Sequence, residues 1–256
     1  MSEVDRNLAS LDLGNSTCRM GFYDRGDIRE EVSETTESFI DNPKKLINKL
    51  STLPRSIAYC SVSPSAENAL IKWNKRCQTE LFNLNIHSCG DFPITYPETS
   101  EIGQDRIANS YAVHKTCQLP AIVIDVGTAT TFDVVSEKDG YEGGVIAPGP
   151  QGFLDFLHQN TALLPKVSIL TQPPSSPIGK KTSEAMLIGT HLGFAPMVMG
   201  ILSRLVETIR QREQKVPSVI LAGGAAHHLE LPSCSHRPFL TLEGVALAFL
   251  EKNVTR

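Results

Sequence analysis

Residues 122–135, with the sequence IVIDVGTATTFDVV, form the stretch around which the chain is organised. Its first half is an apolar, β-branched run, which predicts a buried central strand. Asp125 ends that run, and Gly127 can adopt backbone angles that a side chain would forbid. Thr128 and two further threonines bring hydroxyl and backbone N–H groups to the turn. The stretch is either an ordinary strand with a polar hairpin or a hairpin that holds phosphate oxygens, with the carboxylate near a cation.

A second stretch with the same layout lies near the N-terminus, at residues 11–22, with the sequence LDLGNSTCRMGF. An internal repeat of this kind predicts two related half-domains, which we place at residues 1–117 and 118–256. Each would present one phosphate-holding hairpin to a shared cleft. The two motifs together resemble the phosphate motifs of the actin, sugar-kinase and Hsp70 superfamily. That resemblance implies an α/β fold of two duplicated ribonuclease-H-like (actin-like ATPase) half-domains, with mixed β-sheets flanked by helices.

Composition narrows the possible functions. The chain has 256 residues, of which 41% are hydrophobic and 20% charged, as in a globular protein. Its net charge of -4 provides no basic field, so we expect no nucleic-acid partner. No apolar run approaches membrane-spanning length and the first ten residues lack a signal-peptide core, so we expect a cytoplasmic protein without a membrane partner. The six cysteines are scattered, which argues against a zinc site or a disulfide framework.

Periodicity and turn residues predict the remaining elements. Trp73 is interpreted as core packing rather than a ligand platform, and His227 and His228 as polar loop surface. Strands are predicted at 8–12, 18–23, 28–32, 56–63, 143–147 and 218–222. Helices are predicted at 42–50, 65–81, about 104–116, 153–161, 183–199, 201–214 and 242–252.

Three charged residues outside the central stretch are candidates for chemistry. Asp105 and Arg106 fall in the first turn of a predicted helix, where an Asp is favourable for capping and for the helix dipole. An Arg at that place opposes the dipole, so a bound carboxylate is a suitable partner for its guanidinium. Arg19 follows the N-terminal Gly turn and is either a phosphate-directed cation or a solvated strand residue.

Several motifs in register over nearly the whole chain resemble one family, the bacterial type III pantothenate kinases. The family phosphorylates pantothenate with ATP in the first step of coenzyme A synthesis. Resemblance to it implies a homodimer and a requirement for Mg2+ and for K+ or ammonium (NH4+). The motifs are D-x-G-N-S at 12–16, Tyr96 ahead of GQDR at 103–106, DVGTATT at 125–131, GGVIAPG at 143–149, TALLP at 161–165 and GKKT at 179–182.

The resemblance also implies roles for individual residues. Asp105 would be the general base on the pantothenate hydroxyl, Asp125 would ligate the monovalent cation and Thr128 would contact ATP. The residues implied to hold the ATP phosphates and Mg2+ are Asp12, Leu13, Gly14, Asn15, Ser16, Thr17, Cys18 and Arg19. Those implied to bind pantothenate are Tyr96, Gly103, Gln104, Asp105 and Arg106, with Thr182 reaching the pantothenate of the partner subunit.

Two residues depart from the family pattern. Arg19 stands where Lys is usual, which replaces a compact charge by a planar fork. Gln104 stands where a small or apolar residue is usual, so the edge of the pocket is expected to differ. Two other functions remain open at this point: a non-catalytic transcriptional accessory regulator related to the family, and another phosphotransferase or ATPase of the actin-like superfamily. Retention of Asp105 and Asp125 favours an enzyme.

Overall fold

The structure is a computed structural model, and it describes residues 7–170, 172 and 174–254. The chain divides into two compact units. Unit 1 comprises residues up to 118, 135–142 and those from 239 onward, and unit 2 comprises 119–134 and 143–238. The strands are β1 (Leu8–Leu13), β2 (Thr17–Asp24), β3 (Asp27–Thr35), β4 (Ser56–Ser61), β5 (Glu80–Asn83), β6 (Ala121–Val126), β7 (Ala129–Ser136), β8 (Gly140–Pro148), β9 (Ser218–Ala222) and β10 (Ser235–His236). The α-helices are α1 (Thr36–Asp41), α2 (Lys44–Ile47), α3 (Pro64–Cys77), α4 (Gln104–Thr116), α5 (Pro150–Gln159), α6 (Thr182–Glu213) and α7 (Leu240–Val254).

Unit 1 is built on a mixed five-stranded sheet with the order β3-β2-β1-β4-β5. β1 pairs antiparallel with β2 and parallel with β4, and β4 pairs parallel with β5. β1 and β4 are almost entirely buried, which suits the centre of a sheet, whereas β3 is largely exposed at its edge. Trp73 on α3 belongs to the hydrophobic core beside these strands, as predicted.

Two helices of unit 1, α4 and α7, pack closely against each other. Gly244 makes this approach possible, because a Cβ there would lie 2.6 Å from the carbonyl carbon of Ala108. The hydroxyl of Thr241 also donates to Oδ1 of Asn109 at 2.8 Å. The contact fixes α4, whose first turn carries candidate site residues.

Unit 2 contains a second five-stranded sheet with the order β10-β9-β6-β7-β8. β6, the strand of the organising stretch, is central and buried, and it pairs parallel with β9. Residues from both strands join α6 in one core cluster. The two mixed sheets with flanking helices correspond to the predicted fold class, while the half-domain division at residue 117 stays a prediction.

The structure corrects several predicted elements. The helix predicted at 65–81 ends at Cys77, because Gln78 adopts the left-handed conformation, and the chain then forms β5. The helix predicted at 42–50 is shortened to α2, and α1, which precedes the predicted range, was not predicted. The two helices predicted at 183–199 and 201–214 form one continuous helix, α6, which includes Pro196. His227 is exposed as predicted, whereas His228 is half-buried and its pKa is lowered by burial.

By length and composition, α6 could also cross a membrane, so the prediction that no apolar run approaches that length is wrong for this helix. Such a helix is weak evidence when it stands alone, because helices packed inside proteins pass the same test. In its most apolar window 33% of the residues are buried in the structure. Within the described part of the chain, α6 therefore carries exposed apolar side chains, among them Leu192 and Met199.

Candidate active site

The Gly turn that joins β1 to β2 forms a closed loop at the ends of these two strands in the sheet of unit 1. The N–H of Gly14 donates to the carbonyl oxygen of Thr17 at 3.2 Å. A Cβ on Gly14 would lie 2.7 Å from that oxygen, so only glycine closes the turn without a shift. The hydroxyl of Thr36 donates to the Gly14 carbonyl at 2.8 Å, and the N–H of Thr36 to the Ser16 carbonyl at 3.0 Å. Asn15, Ser16 and Thr17 are exposed, so the turn presents polar groups outward.

Asp12 precedes this turn and lies beside a buried thiol. It is the register partner of Cys60 on β4, and the Cys60 Sγ lies 3.6 Å from Asp12 Oδ1. The pKa of Cys60 is raised well above its ordinary value by burial, then by the negative charges of Asp12 and Asp105. Asp12 thus lies at the end of β4, and the start of α4, which carries Asp105, is hydrogen-bonded to the same end through Ser61 and Gln104.

Asp105 sits in the first turn of α4, where its Oδ1 accepts the Arg106 N–H at 2.8 Å. Burial raises the pKa of this carboxyl, against the lowering effect of that hydrogen bond and of the Arg106 charge. Gly103, which precedes the helix, leaves room for it, since a Cβ there would lie 2.5 Å from Asp105 Oδ1. A desolvated carboxylate with a raised pKa is a better proton acceptor, which is what a general base needs.

Arg106 and two tyrosines lie together in unit 1. The Arg106 guanidinium carbon lies 5.7 Å from the centroid of the Tyr141 ring, which is within cation–π range. The rings of Tyr96 and Tyr141 are 6.0 Å apart. The Tyr141 ring face explains how Arg106 is tolerated at a helix start. Tyr141 was not among the site residues predicted from the sequence. Its only local signal is the turn residue before it, Gly140.

Gln104 and Arg19 make contacts that the sequence did not predict. Gln104 Oε1 accepts the N–H of Ser61 at 2.7 Å and the side-chain amide of Asn83 at 2.8 Å. Its side chain therefore turns toward the sheet. Arg19 is the register partner of Asp12, and its Nε lies 3.1 Å from Glu31 Oε1. That ion pair is partly exposed, so it offers little resistance to rearrangement.

The second Gly turn, in unit 2, joins β6 to β7. The N–H of Gly127 donates to the Ala129 carbonyl at 2.9 Å, and Thr128 accepts the N–H of Gly149 at 3.1 Å. Gly223, at φ +94, closes against Asp125, whose Oδ1 would lie in the way of any Cβ. The Gly turn after β9 therefore packs directly against the Asp125 carboxylate at the end of β6.

Thr182 is the first residue of α6 and is exposed. With Asp125 and Thr128 it lies in unit 2, while the remaining candidate residues lie in unit 1. Within the described ranges, no group of three or more His, Cys, Asp or Glu residues is arranged to hold a metal. Mg2+ does not need such a group, because it is usually bound through one or two carboxylates and substrate phosphates. Asp12 and Asp125 each carry a carboxylate, the type of ligand that would hold Mg2+ or a larger cation.

The sequence model of the type III pantothenate kinase family matches residues 8–204. The type III pantothenate kinase of Streptomyces coelicolor is 33% identical, over 97% of this chain and 99% of the relative. That of Methylacidiphilum infernorum is 32% identical, over 93% of this chain and 86% of the relative.

Among solved structures, a Campylobacter jejuni protein assigned to the Baf family of transcriptional activators has a TM-score of 0.60 at 19% identity. That likeness covers 96% of this chain and 99% of the other. MreB5 of Spiroplasma citri, bound to ADP, has a TM-score of 0.52 at 12% identity, covering 99% of each chain. At these identities the likeness shows the fold alone, and it confirms the predicted actin-like ATPase fold.

Proposed function

Because the chain belongs to the type III pantothenate kinase family, we propose that it transfers the γ-phosphoryl group of ATP to the hydroxyl of pantothenate. The products are 4'-phosphopantothenate and ADP, and the reaction is the first step of coenzyme A biosynthesis. The observation that carries the proposal is the geometry at the end of β4, where the Cys60 Sγ lies 3.6 Å from Asp12 Oδ1 and the N–H of Ser61 donates to Gln104, the residue before Asp105. This arrangement supports the proposal that a phosphate-binding Gly turn and a desolvated carboxylate act together at one end of β4.

The proposed roles follow from what phosphoryl transfer needs, namely in-line positioning and stabilisation of the phosphate charge. The turn from Asp12 to Arg19 holds the ATP phosphates through backbone N–H groups and hydroxyls, with Mg2+ on the Asp12 carboxylate. Asp105 accepts the proton of the pantothenate hydroxyl as that oxygen attacks the γ-phosphorus. Arg106, stacked on an aromatic ring, pairs with the pantothenate carboxylate, and Tyr96 and Gly103 complete the pocket. Thr128 contacts ATP from the second Gly turn.

We further propose that Asp125 ligates K+ or NH4+. A monovalent cation at the end of β6 would offset the repulsion between this carboxylate and the ATP phosphates. One coupled assay tests both proposals, with ADP release followed in pantothenate, ATP and Mg2+ and with K+ exchanged for Na+ at constant ionic strength. We expect turnover that depends on pantothenate and falls sharply in Na+. An ATP hydrolysis rate that does not depend on pantothenate would refute pantothenate as the substrate. Equal rates in K+ and Na+ would refute the proposed monovalent-cation requirement.

We also propose a cytoplasmic homodimer whose two active sites are shared. The support is α6, an apolar helix whose Leu192 and Met199 side chains are exposed in the single chain. Burying such a face against a second copy would remove it from water. In this proposal Thr182, at the start of α6, reaches the pantothenate of the partner subunit.

A mixed-dimer experiment tests the shared site. Asp105→Asn and Thr182→Val proteins, each expected to be nearly inactive, are unfolded and refolded together. Random pairing makes about half the dimers mixed, with one intact site each, so activity should return to roughly a quarter of wild type. If differently tagged chains prove that subunits have exchanged and no activity returns, Thr182 does not act across the interface.

A further inference from the structure

We infer that Gln104 is a positioning residue, whose side-chain amide oxygen fixes the first turn of α4, and hence Asp105, to the end of the central sheet of unit 1. The inference deepens the proposed function and rests on it for the role of Asp105. It assigns the Gln104 side chain to the sheet and away from the substrate.

The contact begins at the end of β4. Successive N–H groups of a strand point to opposite neighbours. The N–H of Val62 donates to the Leu13 carbonyl on β1 at 3.1 Å. The N–H of Ser61 therefore faces the β5 side, and there Gln104 Oε1 accepts it at 2.7 Å. The last β4–β5 register pair is Tyr59 with Asn83, so the Gln104 side chain continues the ladder where the β5 pairing stops.

A second donor reaches the same oxygen. The side-chain amide of Asn83 donates to Gln104 Oε1 at 2.8 Å. Asn83 is itself held, because its Oδ1 accepts from the Asn85 side chain at 2.6 Å and its carbonyl accepts the Ser88 hydroxyl at 2.7 Å. Gln104 Oε1 is thus bound by two donors, and the Gln104 amide in turn donates to Asn83 Oδ1 at 3.4 Å, so the two side chains are paired in both directions. We call Gln104, Ser61 and Asn83 the amide clamp.

The clamp acts on the residue that carries the chemistry. Gln104 is the first residue of α4, and Asp105 follows it directly. Ser61 follows Cys60, the residue that lies in the field of Asp105 and is paired in register with Asp12. The clamp therefore anchors the start of α4 to Ser61, the neighbour of the residue that is paired in register with Asp12. A misplacement of about 1 Å at a reacting group costs on the order of a hundredfold in rate.

The test compares Gln104→Met, which keeps the length of the side chain and removes the acceptor, with Gln104→Glu, which keeps an oxygen. We expect Gln104→Met to lower kcat about 10- to 100-fold, with little change in the KM for pantothenate. Gln104→Glu should restore most of kcat. Gln118→Met, at an exposed glutamine, is the matched control and should behave like wild type.

The changes in kcat, KM and thermal stability distinguish a positioning role of Gln104 from a substrate contact and from a purely structural role. A raised KM with normal kcat would make Gln104 a substrate contact and overturn the inference. Lower thermal stability with unchanged kcat would make the clamp merely structural and would also overturn it.

A second readout does not depend on activity. Amide hydrogen exchange should accelerate at Ser61 by roughly 2- to 12-fold in Gln104→Met, because the lost hydrogen bond is worth about 0.5–1.5 kcal/mol. The Val62 amide, bonded to Leu13, is the internal control and should not change. Unchanged Ser61 exchange refutes the clamp, whatever the substrate is. Absence of pantothenate-dependent turnover in wild type refutes the proposed function, so the two failures are distinguishable.

Discussion

Substitution of Gly103 by alanine should disable the site without unfolding the protein. Gly103 has φ -57 and ψ 137, which alanine adopts freely, so no backbone strain is introduced. The new methyl group would lie 2.5 Å from Asp105 Oδ1 and 3.4 Å from Val62 Cγ1. Ordinary van der Waals contact of a Cβ with a neighbouring heavy atom begins at 3.4 Å. The Asp105 carboxylate must therefore retreat by roughly 1 Å, which draws Oδ1 away from the Arg106 N–H.

The expected magnitudes for stability and rate differ widely. Alanine lowers the conformational entropy of the unfolded chain, which stabilises the folded protein by about 0.4–1 kcal/mol. It is also less favourable than glycine at a helix N-cap, which destabilises the folded protein by a similar amount. These effects cancel within about 1 kcal/mol, or roughly 2–4 °C in Tm for a chain of this size. A displaced base costs on the order of a hundredfold in kcat. We therefore expect a folded protein with its kcat reduced about 100-fold.

Steady-state kinetics and thermal unfolding of Gly103→Ala test this reasoning. Lys72→Ala, at an exposed position of α3, is the control. It should keep wild-type kcat and a Tm close to that of wild type, because substitutions at exposed positions usually change stability by no more than about 0.5 kcal/mol. Wild-type kcat in Gly103→Ala would show that the carboxylate tolerates the methyl group and would remove Asp105 from a fixed catalytic position.

Three further outcomes are expected. Turnover should fall as the pH is lowered, because a base must be ionised and burial raises the pKa of Asp105 above its ordinary value. Asp105→Asn should lower kcat about 10²- to 10⁴-fold and abolish this fall of turnover at low pH, and near-normal turnover would exclude the base role. Gly244→Ala should lower Tm by roughly 2–12 °C, since overpacking against the Ala108 backbone costs about 1–3 kcal/mol, and a raised Tm would contradict the close helix contact. A thiol reagent should modify exposed Cys77 in the native protein and Cys60 only on unfolding, since Cys60 is buried with a pKa well above normal; equal native rates would contradict this burial.

Much of the fold was accessible from the sequence, because its signals are local. The two Asp-x-Gly turns predicted their strands, and apolar runs predicted β6 and β9. β5 was missed because Gln78 ends α3 in the left-handed conformation, which a glutamine rarely adopts and no local pattern announces. Pro196 was read as a helix interruption, whereas packing of α6 onto the core of unit 2 maintains the helix through it.

The candidate site, too, could be predicted only in part from the sequence. Asp12 and Asp105 could be proposed from motif and helix position alone. The buried Cys60 between them and the partners of Gln104 could not, because these contacts join residues 21 to 48 positions apart in the chain. Such contacts depend on sheet register and helix placement, which tertiary packing decides. Which residues touch the substrates stays a prediction.

The contact between α4 and α7 has a consequence for biosynthesis. Unit 1 is completed by residues from 239 onward, which the ribosome adds only after all of residues 143–238 of unit 2. Translation at about 5–20 residues per second puts roughly 6–24 s between Gln118 and Phe239. During that interval the face of α4 that receives Gly244 has no partner from α7. A chaperone that binds nascent chains would find this face of α4 open, and ribosome-stalled chains should expose it until α7 emerges.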